Sequence, residues 1–518
     1  MKLLKKVLVY AAVAVIAILL VSLVYHDQLR KTAQGYKEAL KAAGAITELN
    51  ADLPPVPSPE KDGTAIFRQA AALVRTNYGF LDTNYFEPVQ MVTWGKASIL
   101  WQQPDLRDGE STNSWEDIEA AVRQDQPLLE LLSQLPDHPE FNFQLHYELG
   151  CKAYNDFNNL YLIELKRSAA HLAKAILVDL HRGDLTAAIT HERALLTLVQ
   201  AVQSQRLVIS ELVGSSILSM SESCLWGIVQ SAGISDAQLT QLQERFGKID
   251  VLKAYDNAVN MERLCEDISL NDWRRSGTEA KKFIHLNDDP IEVLGGSLTL
   301  PQAFTDVRNN SKTFLWRYWW SYPDESRYEQ GNRILLQGIR YARTNGNFED
   351  SQKYQQRELA RIGLTNEFDL FVAALGSGES DLHSFLSSSI SAFTYGFERI
   401  TIDESARQIA ITVIALKRFE LKHAQYPENL SQLIPDFMAA VPIDPMSGDP
   451  LHYRRQSDDA FLLYSVGENG VDDGGDPAFP SGVKSRSYFW LNEQALDWVW
   501  PQVASPAEVQ KVRDHPPK

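Results

Sequence analysis

The sequence predicts a mainly α protein: an N-terminal transmembrane helix, an irregular helical bundle domain and a small C-terminal α+β domain. Three observations carry that expectation: an uncharged apolar run near the N-terminus, helical periodicity through the middle, and a change to short strands and turns over the last 90 or so residues. At 518 residues the chain exceeds what one hydrophobic core ordinarily organises. The expected division is residues 1–26 as cytoplasmic tip and anchor, 27–63 as juxtamembrane helix and Pro-rich linker, 64–400 as an extracytoplasmic helical domain, and 401–518 as the α+β domain.

The anchor comes first. Lys2, Lys5 and Lys6 precede VLVYAAVAVIAILLVSLV, Val7 to Val24, an 18-residue run with no charge. At 1.5 Å per residue it spans about 27 Å, close to the hydrocarbon thickness of a bilayer. The lysines belong in the cytoplasm by the positive-inside rule, which sends the remaining chain outward. The small residues Ala12 and Ala14 lie inside the run, so an uncleaved single span is expected rather than a removed signal peptide.

Residues 27–48 are rich in Ala, Lys, Glu and Leu and continue the helix. Pro54, Pro55, Pro57 and Pro59 then force extended backbone and mark the linker. In the bundle, Leu172, Ile176 and Leu180 repeat every four residues, and Gly183 ends that helix as a left-handed cap. The next stripe, Ala188, Leu195, Val199 and Val202, makes the pair an antiparallel helical hairpin. No sustained repeat period supports a solenoid.

Between 241 and 400 the pattern is weaker. Phe314, Trp316, Tyr318, Trp319, Trp320 and Tyr322 crowd together, and packing of a long loop on helices is the expected use of such aromatics; a binding surface is the alternative. A small-residue loop is expected at Gly376 to Asp381. Glu404 to Gln425 is helical until Tyr426-Pro427 breaks it.

Composition excludes some functions. A net charge of −17 with no clustered Lys or Arg argues against a nucleic-acid partner. HExxH, GxSxG, GxGxxG and GxxxxGK[ST] are all absent. His171, His181 and His191 recur every ten residues, but successive members sit about 80° apart on a helix, so solvated or helix-terminal histidines are expected rather than metal ligands. Cys151, Cys224 and Cys265 lack CxxC spacing and read as buried small side chains.

The C-terminal segment carries the one chemical signal. From Gln456 to Val483 there is no Lys or Arg, while Asp458, Asp459, Glu468, Asp472, Asp473 and Asp476 gather among Gly467, Gly470, Gly474 and Gly475. Carboxylates so close repel unless a cation intervenes, and glycines let carbonyls turn inward, which suits calcium; EF-hand spacing is absent.

The motifs Tyr426-Pro427, Asp444-Pro445 with Gly448, Pro450 and Tyr453, and Tyr464-Ser465 with Gly467, Gly470, Gly474 and Gly475 resemble the globular domain of the type II secretion major pseudopilin. The resemblance implies one structural calcium ion held by Ser465, Asp472, Asp473, Asp476 and, in LDWVW, Asp497. One extra residue precedes Gly448, another precedes Gly474, and Asn469 stands where the family has Asp.

The pseudopilin cleavage site is absent and about 380 residues separate the apolar run from this domain, so filament assembly is not implied. The whole layout resembles membrane-anchored envelope proteins of bacteria, which implies an inner-membrane location, a periplasmic body and envelope protein partners, with no activity. The expected function is a scaffold or secretion-associated interaction protein; the alternative is a hydrolase or a solute- or glycan-binding module with its site between the domains.

Overall fold

In the computed structural model the described residues are 2–77, 89–108, 111–153, 161–284, 292–293, 296–297, 311, 313–364, 388–478 and 495–514. The described residues are 67% helical and 7% strand. The expected loop at Gly376 to Asp381 lies outside the described residues.

Helix α1, Lys2–Ala42, is one unbroken rod, about 61 Å long at 1.5 Å per residue. Its second half packs into the body through buried Ala33 and Leu40. After it the proline linker is tied down: the carboxylate of Asp52 is paired with Arg206 at 2.7 Å.

The bundle is built from α2 (Thr64–Asn77), α3 (Trp115–Gln124), α4 (Gln126–Leu132), α5 (Leu162–Arg182), α6 (Leu185–Gln203), α7 (Val208–Val229), α8 (Asp236–Lys248), α9 (Val251–Arg275) and α10 (Gly277–Ile284). Local chemistry sets their ends. Ser114, Asp184 and Asp250 each accept an amide hydrogen bond from the first turn that follows, and Ser235 with Gln238 forms a reciprocal capping box. Gly183 ends α5 at φ 76°, so α5 and α6 form the hairpin the periodicity predicts.

Helix α7 is long and apolar enough to cross a membrane by composition, but it is a core helix, with 78% of its apolar window buried. The bundle closes with α11 (Ser321–Asn345), α12 (Phe348–Arg361) and α13 (Ser388–His423). Helix α13 packs on α7, α8, α9 and α11. The boundary expected at 400/401 therefore falls inside one continuous helix, and the residues on both sides of it share one hydrophobic core reaching from Leu40 to Trp500.

The strands are short. Hairpin β1 (Gln90–Thr93) and β2 (Lys96–Ser98) accepts β10 (Gln502–Val503) in parallel, β3 (Leu106–Asp108) pairs with β4 (Ser111–Asn113) and β5 (Glu292–Val293) with β6 (Gly296–Ser297), while β7 (His452–Ser457), β8 (Ala460–Ser465) and β9 (Trp498–Val499) form an antiparallel sheet. The C-terminal segment is thus woven back into the bundle. Trp226 of α7 donates to the Pro501 carbonyl at 2.8 Å, and Lys96 pairs at 2.7 Å with Glu508 of α14 (Pro506–Asp514).

Two expectations need correction. His171 is buried and bonded to Asp125 at 2.7 Å, and His191 is bonded to Asp179 at 2.7 Å, because the bundle covers the helix faces that carry them. Only His181 fits, being in the last turn of α5 and stacked on Trp115. The aromatic cluster is not packed beneath a loop: Trp316–Trp320 is a π-helical turn leading into α11. Trp316 points inward, while Phe314, Tyr318 and Trp319 are exposed.

Candidate functional site

The acidic C-terminal loop follows β8. Successive strand residues point to opposite faces, and this separates the predicted ligands. Ser465 faces the core, fully buried, and donates to Oδ1 of Asp444 at 2.8 Å. Tyr464 faces the other way, and its hydroxyl donates to Oδ1 of Asp472 at 2.9 Å. Ser465 therefore stands apart from the aspartates.

Asp497 is the residue the loop encloses. Its Oδ2 accepts from the backbone amides of Gly475 at 2.8 Å and Asp476 at 3.2 Å, and its Oδ1 from that of Asp473 at 3.4 Å. Gly474 and Gly475 permit this with φ of 77° and 82°, a left-handed path that turns amides rather than carbonyls toward the carboxylate. Burial pushes the Asp497 carboxyl up, and these amides oppose that shift.

The remaining acids point elsewhere. Asp473 accepts from Asn469 at 2.9 Å and Asp476 from the amide of Ala478 at 2.9 Å. Asp472 lies 3.4 Å from His452, and its carboxyl is held below the usual range by the Gly474 amide and then by Tyr464. The structure brings Asp473 and Asp476 to Asp497 by backbone and leaves Asp472 on Tyr464, all three with exposed carboxylates. The set fits a cation in part: the three exposed aspartates offer oxygens, but an ion reaching Asp497 must displace amide donors.

Asp444 was absent from the predicted ligand set. It is fully buried and accepts from Ser465, from the amide of Met446 at 3.0 Å and from that of Val466 at 2.9 Å, joining the turn before β7 to the end of β8. Its signal was the Asp444-Pro445 pair. Burial raises its carboxyl, against those three donors.

A second acidic group had no local signal. Asp267 of α9 and Glu325 and Glu329 of α11 place one oxygen each within 4.8 Å of the others, a spacing able to hold a metal. The position is filled by the ammonium of Lys37, at 2.8 Å from Asp267 and 2.7 Å from Glu325. Burial alone would depress Lys37, yet Asp267, Glu325 and Glu329 outweigh it and raise its pKa. Arg274 pairs with Glu325 at 2.7 Å, and Arg263 lies 3.3 Å from Asp267, so three cations meet three acids.

A carboxyl seam also runs between α6, α7 and α13. Glu192, Glu211 and Glu222 are 0, 2 and 1% exposed. Burial pushes Glu192 and Glu211 up to about 8 and Glu222 well above the carboxylate range, with the nearby Asp403 adding to the latter two. Glu192 accepts from Ser221, and Arg407 holds Glu404 at 2.6 Å. In Glu192, Glu211 and Glu222 burial favours the protonated form, as befits acids packed in a core.

Comparison with family models, with curated proteins and with solved structures finds no match for this chain.

Proposed function

We propose that the chain is a membrane-anchored extracytoplasmic scaffold or secretion-associated interaction protein, held in a bacterial inner membrane by α1 with its body on the periplasmic side. The observation that carries this reading is the division of α1. Tyr10, Val13, Val21, Leu23 and Val24 are exposed on its apolar half, whereas Ala33, Lys37 and Leu40 are locked into the body. An apolar rod of that length, exposed at these five positions, calls for a bilayer, and its fixed root makes the body a rigid extension of the anchor.

A hydrolase with its site between the domains would need converging carboxylates in an open cleft. Glu211, Glu222 and Asp403 do converge between α7 and α13, but at 2, 1 and 3% exposed they are closed to substrate. Calcium is kept as a structural ion for the rim of the C-terminal loop, at Asp472, Asp473 and Asp476, without Ser465; its support is the resemblance to the pseudopilin domain and those exposed acids.

The test is membrane extraction together with a reporter fused at the C-terminus. The full chain should resist alkaline carbonate, and the reporter should be active only outside the cytoplasmic membrane. Release by carbonate, or a cytoplasmic reporter signal, would overturn the reading.

A further inference from the structure

Two helices far apart in sequence change polarity at the same level. Helices α1 and α11 run parallel: His26 meets the ring of Tyr322 edge-on at 5.0 Å, Lys37 meets Glu325, and the Ala43 carbonyl accepts from Arg340. On α1 the apolar run ends at Val24 and charge returns at Asp27. On α11 the aromatics end at Tyr322 and charge returns at Asp324. The contact between His26 and Tyr322 aligns the two boundaries.

Above that contact the turn before α11 has two faces. Thr313 and Trp316 point inward, and the Trp316 indole donates to Asp324 at 3.1 Å. Phe314, Leu315, Tyr318 and Trp319 point outward at 57, 37, 49 and 42% exposed. The turn is fixed: Arg317 donates to the Arg274 carbonyl at 2.7 Å, capping the end of α9, and Arg274 stacks on Tyr322.

Resting on the anchored reading above, we propose that Phe314, Leu315, Tyr318 and Trp319 form a second membrane contact, an aromatic foot seated in the outer headgroup region beside α1. By helical rise these residues stand roughly 4 to 12 Å beyond Tyr322 on the apolar side. Interfacial helices bury their apolar faces about 5–10 Å into the headgroup and acyl boundary, where tyrosine and tryptophan concentrate. The foot fixes the tilt of the body on the membrane, which a single helix alone leaves free.

The experiment uses the full chain reconstituted in phosphatidylcholine vesicles carrying acyl chains brominated near the headgroup. The apolar run contains no tryptophan, so bromine quenching of indole emission reports on the body. Trp319→Phe should lose quenchable emission, while Trp94→Phe, exposed on the β1–β2 turn, should lose none. Unchanged quenching in Trp319→Phe, with the protein still floating with vesicles, overturns the foot and leaves the anchor standing. Failure to float overturns both.

Discussion

The ammonium of Lys37 lies 2.7 Å from Oε1 of Glu325, so a residue of the first helix neutralises an acid near the start of α11, 288 positions later. The same ammonium serves Asp267, and Glu329 stands behind it at 3.8 Å. Burial first, and then the charge of Asp267, push the Glu329 carboxyl well above its ordinary range, against Arg263 and Lys37. The juncture between α1 and the body is thus electrostatic at its centre and apolar around it.

Removing Lys37 takes one of three cations from this cluster, leaving Arg274 on Glu325 and Arg263 beside Asp267 to face all three acids. Lys37→Ala should lower stability by about 3 kcal/mol, the scale of breaking a largely buried pair from one side. Adding Glu325→Gln to it should restore part of the loss, since the cluster then holds one acid fewer for its two remaining cations. Denaturant midpoints of the two variants check this, and strict additivity would contradict it.

The carboxyl seam makes stability depend on pH. Glu192 and Glu211 have folded values near 8 against an ordinary 4.5. Glu262 and Glu266 are likewise raised by burial, to about 7 and about 8. A raised carboxyl binds its proton more tightly folded than unfolded, so its contribution is complete below about 4.5 and is lost as pH rises toward 8. Over that window the unfolding midpoint should fall with pH. Glu211→Gln should flatten the slope and gain stability at its alkaline end.

Gly396 of α13 has no room for a side chain. A Cβ there would lie 2.4 Å from the Tyr255 hydroxyl, which is buried and donates to the Phe393 carbonyl. Gly396→Ala should displace Tyr255, costing about 1–3 kcal/mol from overpacking, and more if the hydroxyl loses its acceptor. Gly183→Ala strains a left-handed cap with nothing within 4 Å of the new carbon, so it should cost less. Thermal midpoints of the pair rank the two sites.

What the sequence disclosed follows from the range of each interaction. The α5–α6 hairpin was legible because periodicity and Gly183 act within a few residues. Lys37 with Asp267 and Glu325 was not, because nothing local marks residues that meet across 230 and 288 positions. The aspartates were legible as an acidic loop, but their geometry was not. Whether glycines turn carbonyls or amides toward Asp497 depends on backbone signs that composition does not encode. Ser465 was misplaced with them because motif order ignores strand alternation. His171 and His191 were misread because helical spacing says nothing about which neighbour covers a face.

The C-terminal loop separates two roles that the predicted calcium site merged. Asp497 satisfies the backbone amides of Asp473, Gly475 and Asp476. Asp497→Asn puts an amide group where those donors need a second acceptor oxygen, a loss of about 1–3 kcal/mol. Its midpoint should therefore fall in chelator as well as in calcium. Asp472→Asn with Asp473→Asn leaves the buried acceptor intact and removes exposed carboxylates. That variant should lose the calcium-dependent part of the midpoint alone, a part worth about 2.7 kcal/mol when free calcium is 100-fold above its dissociation constant. Thermal unfolding of the full chain, with calcium and with chelator, checks both. A wild-type midpoint that calcium leaves unchanged would remove the ion from the proposed function. An Asp497→Asn midpoint equal to wild type in chelator would remove the amide cap.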